Sequence, residues 1–295
     1  LLGTWAVSLC LAQQSTQDVP ARVNSNKFKQ LGQELPTPNV YRTASGAPGH
    51  EYWQQRVDYN IQVTLDDENQ RIDGEERILY KNNSPDELRY LWLQLDQNVR
   101  ALDSDSYKIR ESRINSSSSF ESIQDLEPSF DGGFKIQYVG DETGKPLEYT
   151  INKTMMRIDL PSPLKPGGTF VFEVAWWYSI NDRMKDGGRS GYEYFEDEDN
   201  YLYTIAQFYP RLVVYMDNEG WQNKQFLGSG EFTLNFGDYH VEITVPSDHV
   251  VASTGVLKNA KTVLTPRQRK RLQQARKSYD CLLYTSPSPR DSGKS

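Results

Sequence analysis

Val57, Tyr59, Ile61, Val63 and Leu65 alternate with polar residues, and Tyr239, Val241, Ile243 and Val245 do the same. Period two puts every second side chain on one face of a pleated strand, so each run predicts a half-buried β-strand. The polar tetrad Asp66-Asp67-Glu68-Asn69 interrupts the first run. Ile72, Ile78 and Tyr80 then resume it, with Gly74 and Glu76 on the same parity. Two such runs around a short polar turn predict a β-hairpin. Leu88 to Leu95 is apolar on both parities and predicts a strand covered on both faces. Further strands are expected at Phe134–Val139, Leu147–Leu160, Thr169–Ile180, Tyr201–Tyr215 and Gly230–Phe236. Asn82 to Pro85, Pro161, Pro163 and Pro166-Gly167-Gly168 mark turns. Many short strands between turn signals predict an all-β fold, a multi-stranded β-sandwich with irregular loops. No repeat of fixed period runs through the chain.

One helix start is clear. Thr265 can cap, Pro266 suits the first helical position, and Gln268 completes a capping box. Lys261 to Tyr279 holds seven basic residues and no acid. The whole chain carries 40 acidic against 33 basic side chains; without that stretch the net charge is −14. Such acidity argues against general nucleic-acid binding. No run of 18 apolar residues is present, so no transmembrane helix is expected. Leu1 to Ala12 is apolar and uncharged, and resembles the core of a secretion signal that lacks its basic start. An exported protein is the expectation. Residues 13–50 read as a linker or loose arm, 51–260 as the β-domain, 261–280 as a basic helical segment and 281–295 as a non-native tail. Cys10 and Cys281 fall in the two end pieces, which leaves the β-domain without a disulfide.

Most catalytic signatures are missing. His50-Glu51-Tyr52-Trp53-Gln54 matches the front of H-E-x-x-H, but Gln54 stands where the second zinc-binding His belongs. His240 falls on the polar parity of its strand, and His249 lies in a turn. No G-x-S-x-G, P-loop or dinucleotide fingerprint occurs. Carboxylates are numerous enough for a glycosidase pair, yet spacing selects none. Glu193 and Glu196 to Asp199 form an acidic cluster without the glycine-centred spacing of a calcium loop.

A set of short motifs carries a resemblance. Gln207-Phe208-Tyr209-Pro210-Arg211 leads to Tyr215-Met216-Asp217 and Gly220-Trp221. Gly228 to Phe232, Phe236-Gly237-Asp238-Tyr239, Val245-Pro246 and Ser253-Thr254-Gly255 follow. Upstream stand Tyr52-Trp53-Gln54-Gln55, Val57-Asp58-Tyr59, Gly74 and Tyr80-Lys81-Asn82-Asn83-Ser84-Pro85. From about Tyr52 to Asp280 the chain resembles the N-terminal domain of the aminopeptidase N-like zinc metallopeptidases, peptidase family M-one, and most closely their secreted bacterial branch. The resemblance implies a saddle-like β-domain followed by a thermolysin-like catalytic domain. That second domain would hold zinc through H-E-x-x-H and a downstream Glu, and the substrate amine through G-x-M-E-N. Neither motif occurs in this sequence. The implied chain is therefore a non-catalytic domain with no metal or other cofactor of its own, zinc belonging to the parent enzyme. Its partners would be the missing catalytic domain and the N-terminus of a peptide substrate.

In the family one Gln of this domain, upstream of an Arg, approaches the substrate's amine. Gln207 is the position that matches, and it is the one candidate substrate-binding residue. Its neutral amide oxygen can accept from an ammonium without cancelling the acidic field around it. Arg211 is expected to pair with an acid such as Asp217 and hold the segment in shape. The alternative is a secreted carbohydrate- or protein-binding module with Trp176, Trp177 and Tyr178 as an exposed stacking platform. Against that stands the possibility that Trp176 and Trp177 simply face the two layers around one strand.

Overall fold

A computed structural model describes residues 38–109, 120, 129–230 and 233–278. The signal-like segment 1–12, residues 13–37, the serine run Ser116 to Ser119 and the tail 281–295 lie outside the described residues. The chain divides into two units, Leu1–Ser247 and Asp248–Ser295. All the described strands belong to the first, which is all-β.

β1 (Arg56–Asp66) and β2 (Arg71–Lys81) form the expected hairpin, paired antiparallel from Arg56↔Lys81 to Asp66↔Arg71. Its turn is built by the polar tetrad. The Asp66 carboxylate accepts from the Asn69 backbone N–H at 3.0 Å and from its side-chain amide at 2.8 Å. Gln70 closes the turn with φ 51°. β3 (Leu88–Gln94) follows, then β4 (Lys135–Asp141). The expected strand Leu147–Leu160 is a second hairpin, β5 (Tyr149–Asn152) and β6 (Met155–Leu164), folded at Lys153 with φ 56°. β7 spans Thr169–Ser179. The expected strand Tyr201–Tyr215 is broken into β9 (Asn200–Thr204), β10 (Arg211–Leu212) and β11 (Tyr215–Met216), with β8 (Gly191–Phe195) before them. β12 (Gly220–Trp221) and β13 (Tyr239–Thr244) complete the series. Among the described residues, Gly230 to Phe236 forms no strand, only a bridge from Phe236 to Arg56.

One sheet has the order β13-β1-β2-β7-β4, and a second has β10-β3-β6-β5. Inward side chains of both meet in a single core. Val57, Ile61, Ile78, Phe172, Val174 and Trp176 of the first sheet join Leu91, Leu93, Met156 and Ile158 of the second. Trp176 is seated because residue 74 is glycine: a Cβ there would lie 2.5 Å from Trp176 Cζ2. Gly237 serves a similar end, since a Cβ would fall 1.7 Å from the Val57 carbonyl oxygen.

Two burial expectations change. On β3, Leu91 and Leu93 are buried, but Tyr90 and Trp92 on the opposite face are half-buried, with Arg157 over the Tyr90 ring at 4.3 Å. The apolar face of β13 is exposed along Tyr239, Val241 and Ile243. β13 is an edge strand, parallel to β1, and the core ends at β1.

In the second unit, a helical turn at Ala260–Val263 precedes a helix at Pro266–Ala275. The capping box forms as the sequence requires. Thr265 Oγ1 accepts from the Gln268 N–H at 3.3 Å, and Gln268 Oε1 accepts from the Thr265 N–H at 2.8 Å. No residue of this helix is buried; Arg269 Nη1 donates to the Lys261 and Leu264 carbonyls, and Arg267, Lys270, Arg276 and Lys277 are exposed.

Candidate functional site

The segment Ala206–Arg211 leaves β9 and crosses to β10 over the inner face of the five-stranded sheet. Three successive carbonyls of its backbone are fastened by side chains. The buried Gln97 amide donates to the carbonyls of Ala206 at 2.9 Å and Gln207 at 3.1 Å. Gln97 lies in the 3-10 turn Asp96–Arg100 that ends β3, and its own oxygen accepts from Arg100 Nη1 at 3.1 Å. The buried Trp176 indole donates to the Phe208 carbonyl at 3.1 Å. Tyr209 packs edge-to-face on Tyr59, with ring centroids 5.4 Å apart.

The far end is held by charge. Arg211 donates to both oxygens of Asp96, at 2.6 and 2.9 Å, and Gln94 donates to the same carboxylate at 2.6 Å. Arg211 and Asp96 are both buried. Burial pushes the Asp96 carboxyl up, and the Arg211 hydrogen bonds oppose that shift. Removing one partner of such a pair costs about 3–5 kcal/mol, because the other charge is left in the core. The expected ion pair of Arg211 with an acid is therefore made, but with Asp96 and not with Asp217. Antiparallel pairing of Arg211 with Gln94 brings the guanidinium to Asp96, two residues further along the chain from Gln94. Asp217 instead accepts from Arg42 Nε at 2.8 Å, and that guanidinium sits 5.1 Å over the Tyr52 ring.

Within this framework Gln207 has φ 55°, a left-handed conformation that costs a non-glycine residue about 1–2 kcal/mol. Its side-chain amide is half-exposed and makes no hydrogen bond among the described residues. A strained backbone held by buried neighbours, with its polar side chain unused, can present a neutral acceptor and donor to a ligand. A solvent-open hollow lined by Tyr41, Glu51, Trp53, Lys81, Asn83 and Pro85 does not include Gln207.

Beneath the segment lies a group to which sequence parity gave no role. Glu76 on β2 is 2 % exposed, and neither carboxyl oxygen has a hydrogen-bond partner. Burial raises its pKa well above the ordinary carboxylate value. Burial also raises the hydroxyls of Tyr59 and Tyr209, and the nearby Glu76 adds to both shifts.

Most of the remaining motif residues are structural. Asn82 is fully buried; its carbonyl accepts from Gln55, the Ser84 N–H and the Ser84 hydroxyl, and its amide donates to the carbonyls of Asp86 and Leu164. This network fixes the Asn82–Pro85 turn against the start of β1. Trp53 stacks on Tyr215 with centroids 5.7 Å apart, Trp221 packs tilted against Tyr215 at 5.0 Å, and Tyr215 donates to Asp86 at 2.8 Å.

The stacking platform is not formed. Trp176 and Tyr178 are core residues, and half-buried Trp177 on the other face carries Arg71 over its ring at 4.4 Å. His50-Glu51 lies in a turn rather than a helix, and each histidine sits beside an adjacent carboxylate. Among the described residues no group of three or more His, Cys, Asp or Glu side chains is arranged to hold a metal. The described residues do not fit the zinc that the resemblance assigns to the parent enzyme.

No family model and no curated protein matches the sequence. Solved structures with partial likeness include the M1 zinc metallopeptidase of Deinococcus radiodurans. Its Glu-to-Ala mutant bound to a Tyr-Ser-Ala substrate is 14% identical, with a TM-score of 0.37 over 69% of this chain and 35% of that one. The unmutated form gives 13%, a TM-score of 0.35, and 69% and 34%. A two-domain M1 zinc metallopeptidase bound to L-tryptophan gives 13%, 0.36, and 71% and 37%. The chain thus spans about a third of the length of these structures, and likeness at this level carries no argument about chemistry.

Proposed function

We propose that this chain is the N-terminal, non-catalytic domain of a zinc-dependent aminopeptidase, which walls one side of the active site and offers Gln207 to the substrate's N-terminal amine. The carrying observation is the conformation of Gln207: left-handed, braced by Gln97, Trp176 and the Asp96–Arg211 pair, with its amide unspent. Strain of this kind is kept where the surroundings enforce it, and it concentrates at ligand contacts. The motif set of residues 52–280 supports the family assignment.

In this reading the chain performs no bond cleavage itself. Gln207 Oε1 accepts a hydrogen bond from the substrate ammonium, and the rigid segment sets how far the peptide can enter. Zinc, held by a further domain, would supply the Lewis acid and activated water. Residues 1–12 read as part of a secretion signal, which supports an exported protein; cell fractionation tests that.

The uninterrupted reading frame is the direct test. H-E-x-x-H and G-x-M-E-N downstream of Asp280 support the proposal, and a frame that continues without them overturns it. In the whole enzyme, Gln207→Ala is expected to raise KM for free-amine peptides. An unchanged KM would remove the role given to Gln207.

A further inference from the structure

The hairpin of β8 and β9 carries a second surface that the Gln207 site does not use. Its register sets Tyr192 opposite Tyr203 and Tyr194 opposite Tyr201, so four tyrosines share one face of a two-stranded ribbon. Ring centroids are 5.8 Å apart for Tyr192–Tyr201, 4.8 Å for Tyr194–Tyr201 and 6.0 Å for Tyr201–Tyr203. The inner pair packs on the core, and the Tyr203 hydroxyl donates to Gln70 Oε1 at 2.8 Å. The outer pair is open, with Tyr194 46% and Tyr201 40% exposed. Phe195 and Leu202, on the opposite face, are 46% and 50% exposed. Exposed aromatic and aliphatic side chains on both faces of one short hairpin leave apolar surface there for a partner to cover.

The turn at its tip gives the patch a sign. Glu193 is committed to Arg183 at 2.5 Å, and Asp199 accepts from the Tyr194 hydroxyl at 2.8 Å. Glu196, Asp197 and Glu198 are exposed and have no cationic partner among the described residues. Three uncompensated carboxylates therefore border exposed tyrosine faces. A neutral sugar would stack on the rings and leave that charge unanswered. Lysine and arginine answer both features: the cationic head meets the carboxylates and the ring face, and the aliphatic stem lies on apolar surface.

We propose that the β8–β9 hairpin is a docking surface for a polypeptide segment bearing lysine or arginine beside apolar residues. The test is a titration of the full chain with a synthetic Lys-Leu-Arg repeat peptide, read by tyrosine ring NMR shifts and calorimetry. A glutamate-substituted peptide, a Lys-Ser repeat and a neutral oligosaccharide are the controls. The expected result is saturable binding of the Lys-Leu-Arg peptide, weakened by salt. Tyr201→Leu should weaken it about fivefold to thirtyfold, and joint Glu196→Gln, Asp197→Asn and Glu198→Gln should weaken it as well. Tyr194→Ser, at the exposed tip, stands in if Tyr201→Leu lowers the unfolding midpoint. Three results overturn the proposal: no saturable binding, equal binding of any control, or loss only on charge removal with the tyrosine variants unaffected.

Discussion

Replacing Glu76 should make the protein more stable, and increasingly so as pH rises. The carboxyl lies in the core on the central strand pair, between Ile61 on β1 and Val174 on β7, with both oxygens unpartnered. A buried polar group left unpaired costs about 1–3 kcal/mol even when neutral. Ionisation adds a second cost. The folded pKa is raised above the ordinary 4.5, so the native state keeps a proton that the unfolded chain releases. That contribution is fully present below pH 4.5 and is lost as pH rises towards the folded value. The loss runs at about 1.4 kcal/mol per pH unit and levels off beyond the folded value. Glu76→Met keeps a similar volume and removes both costs, so a gain of about 1–3 kcal/mol at pH 4 should widen with pH. Glu76→Gln removes only the slope. Urea unfolding at pH 4, 5, 6, 7 and 8, followed by fluorescence of the buried Trp176, measures all three proteins. Groups common to them cancel in the differences. Parallel stability curves for wild type and Glu76→Gln would refute the reasoning, because the carboxyl would then titrate normally in the fold.

Three further outcomes follow from particular contacts. Gly74→Ala drives a methyl into the Trp176 indole and should cost about 1–3 kcal/mol, read as a lowered thermal midpoint. Asp96→Ala removes the carboxylate that the buried Arg211 pairs with and should cost about 3–5 kcal/mol in urea unfolding. Gln207→Gly relieves the left-handed strain and should raise stability by about 1 kcal/mol, while in a whole enzyme it should weaken substrate binding. Loss of stability in that variant would mean the Gln207 side chain holds the fold rather than a ligand.

Local pattern made parts of the fold legible. The β1–β2 hairpin was readable because its alternation and its turn chemistry agree within 26 residues, Arg56 to Lys81. The Thr265 cap was readable for the same reason, since all its atoms lie within four residues. Leu147–Leu160 was misread as one strand because no glycine or proline marks the fold at Lys153, a lysine that takes φ 56°. Arg211 was misassigned because its partner lies 115 positions away. Nothing near Arg211 in the chain announces Asp96. The left-handed turn at Gln207 was equally hidden, because glutamine there gives no hint of positive φ.

The amino-acid pattern by itself determined that this chain is built of strands and which parity of β1 and β2 faces inward. It also determined that no zinc-binding H-E-x-x-H is present in these 295 residues. Those properties are settled by side-chain period and residue type, which are local. Tertiary structure alone decided which apolar faces are covered. β13 alternates as cleanly as β1, yet its face is open because it lies at the sheet edge beyond the core. It also decided that Glu76 is a buried acid and not one more polar interruption, and that Trp176 is core. Burial is set by what packs opposite a residue. Those neighbours come from distant strands, so no reading of one strand's own sequence can supply them.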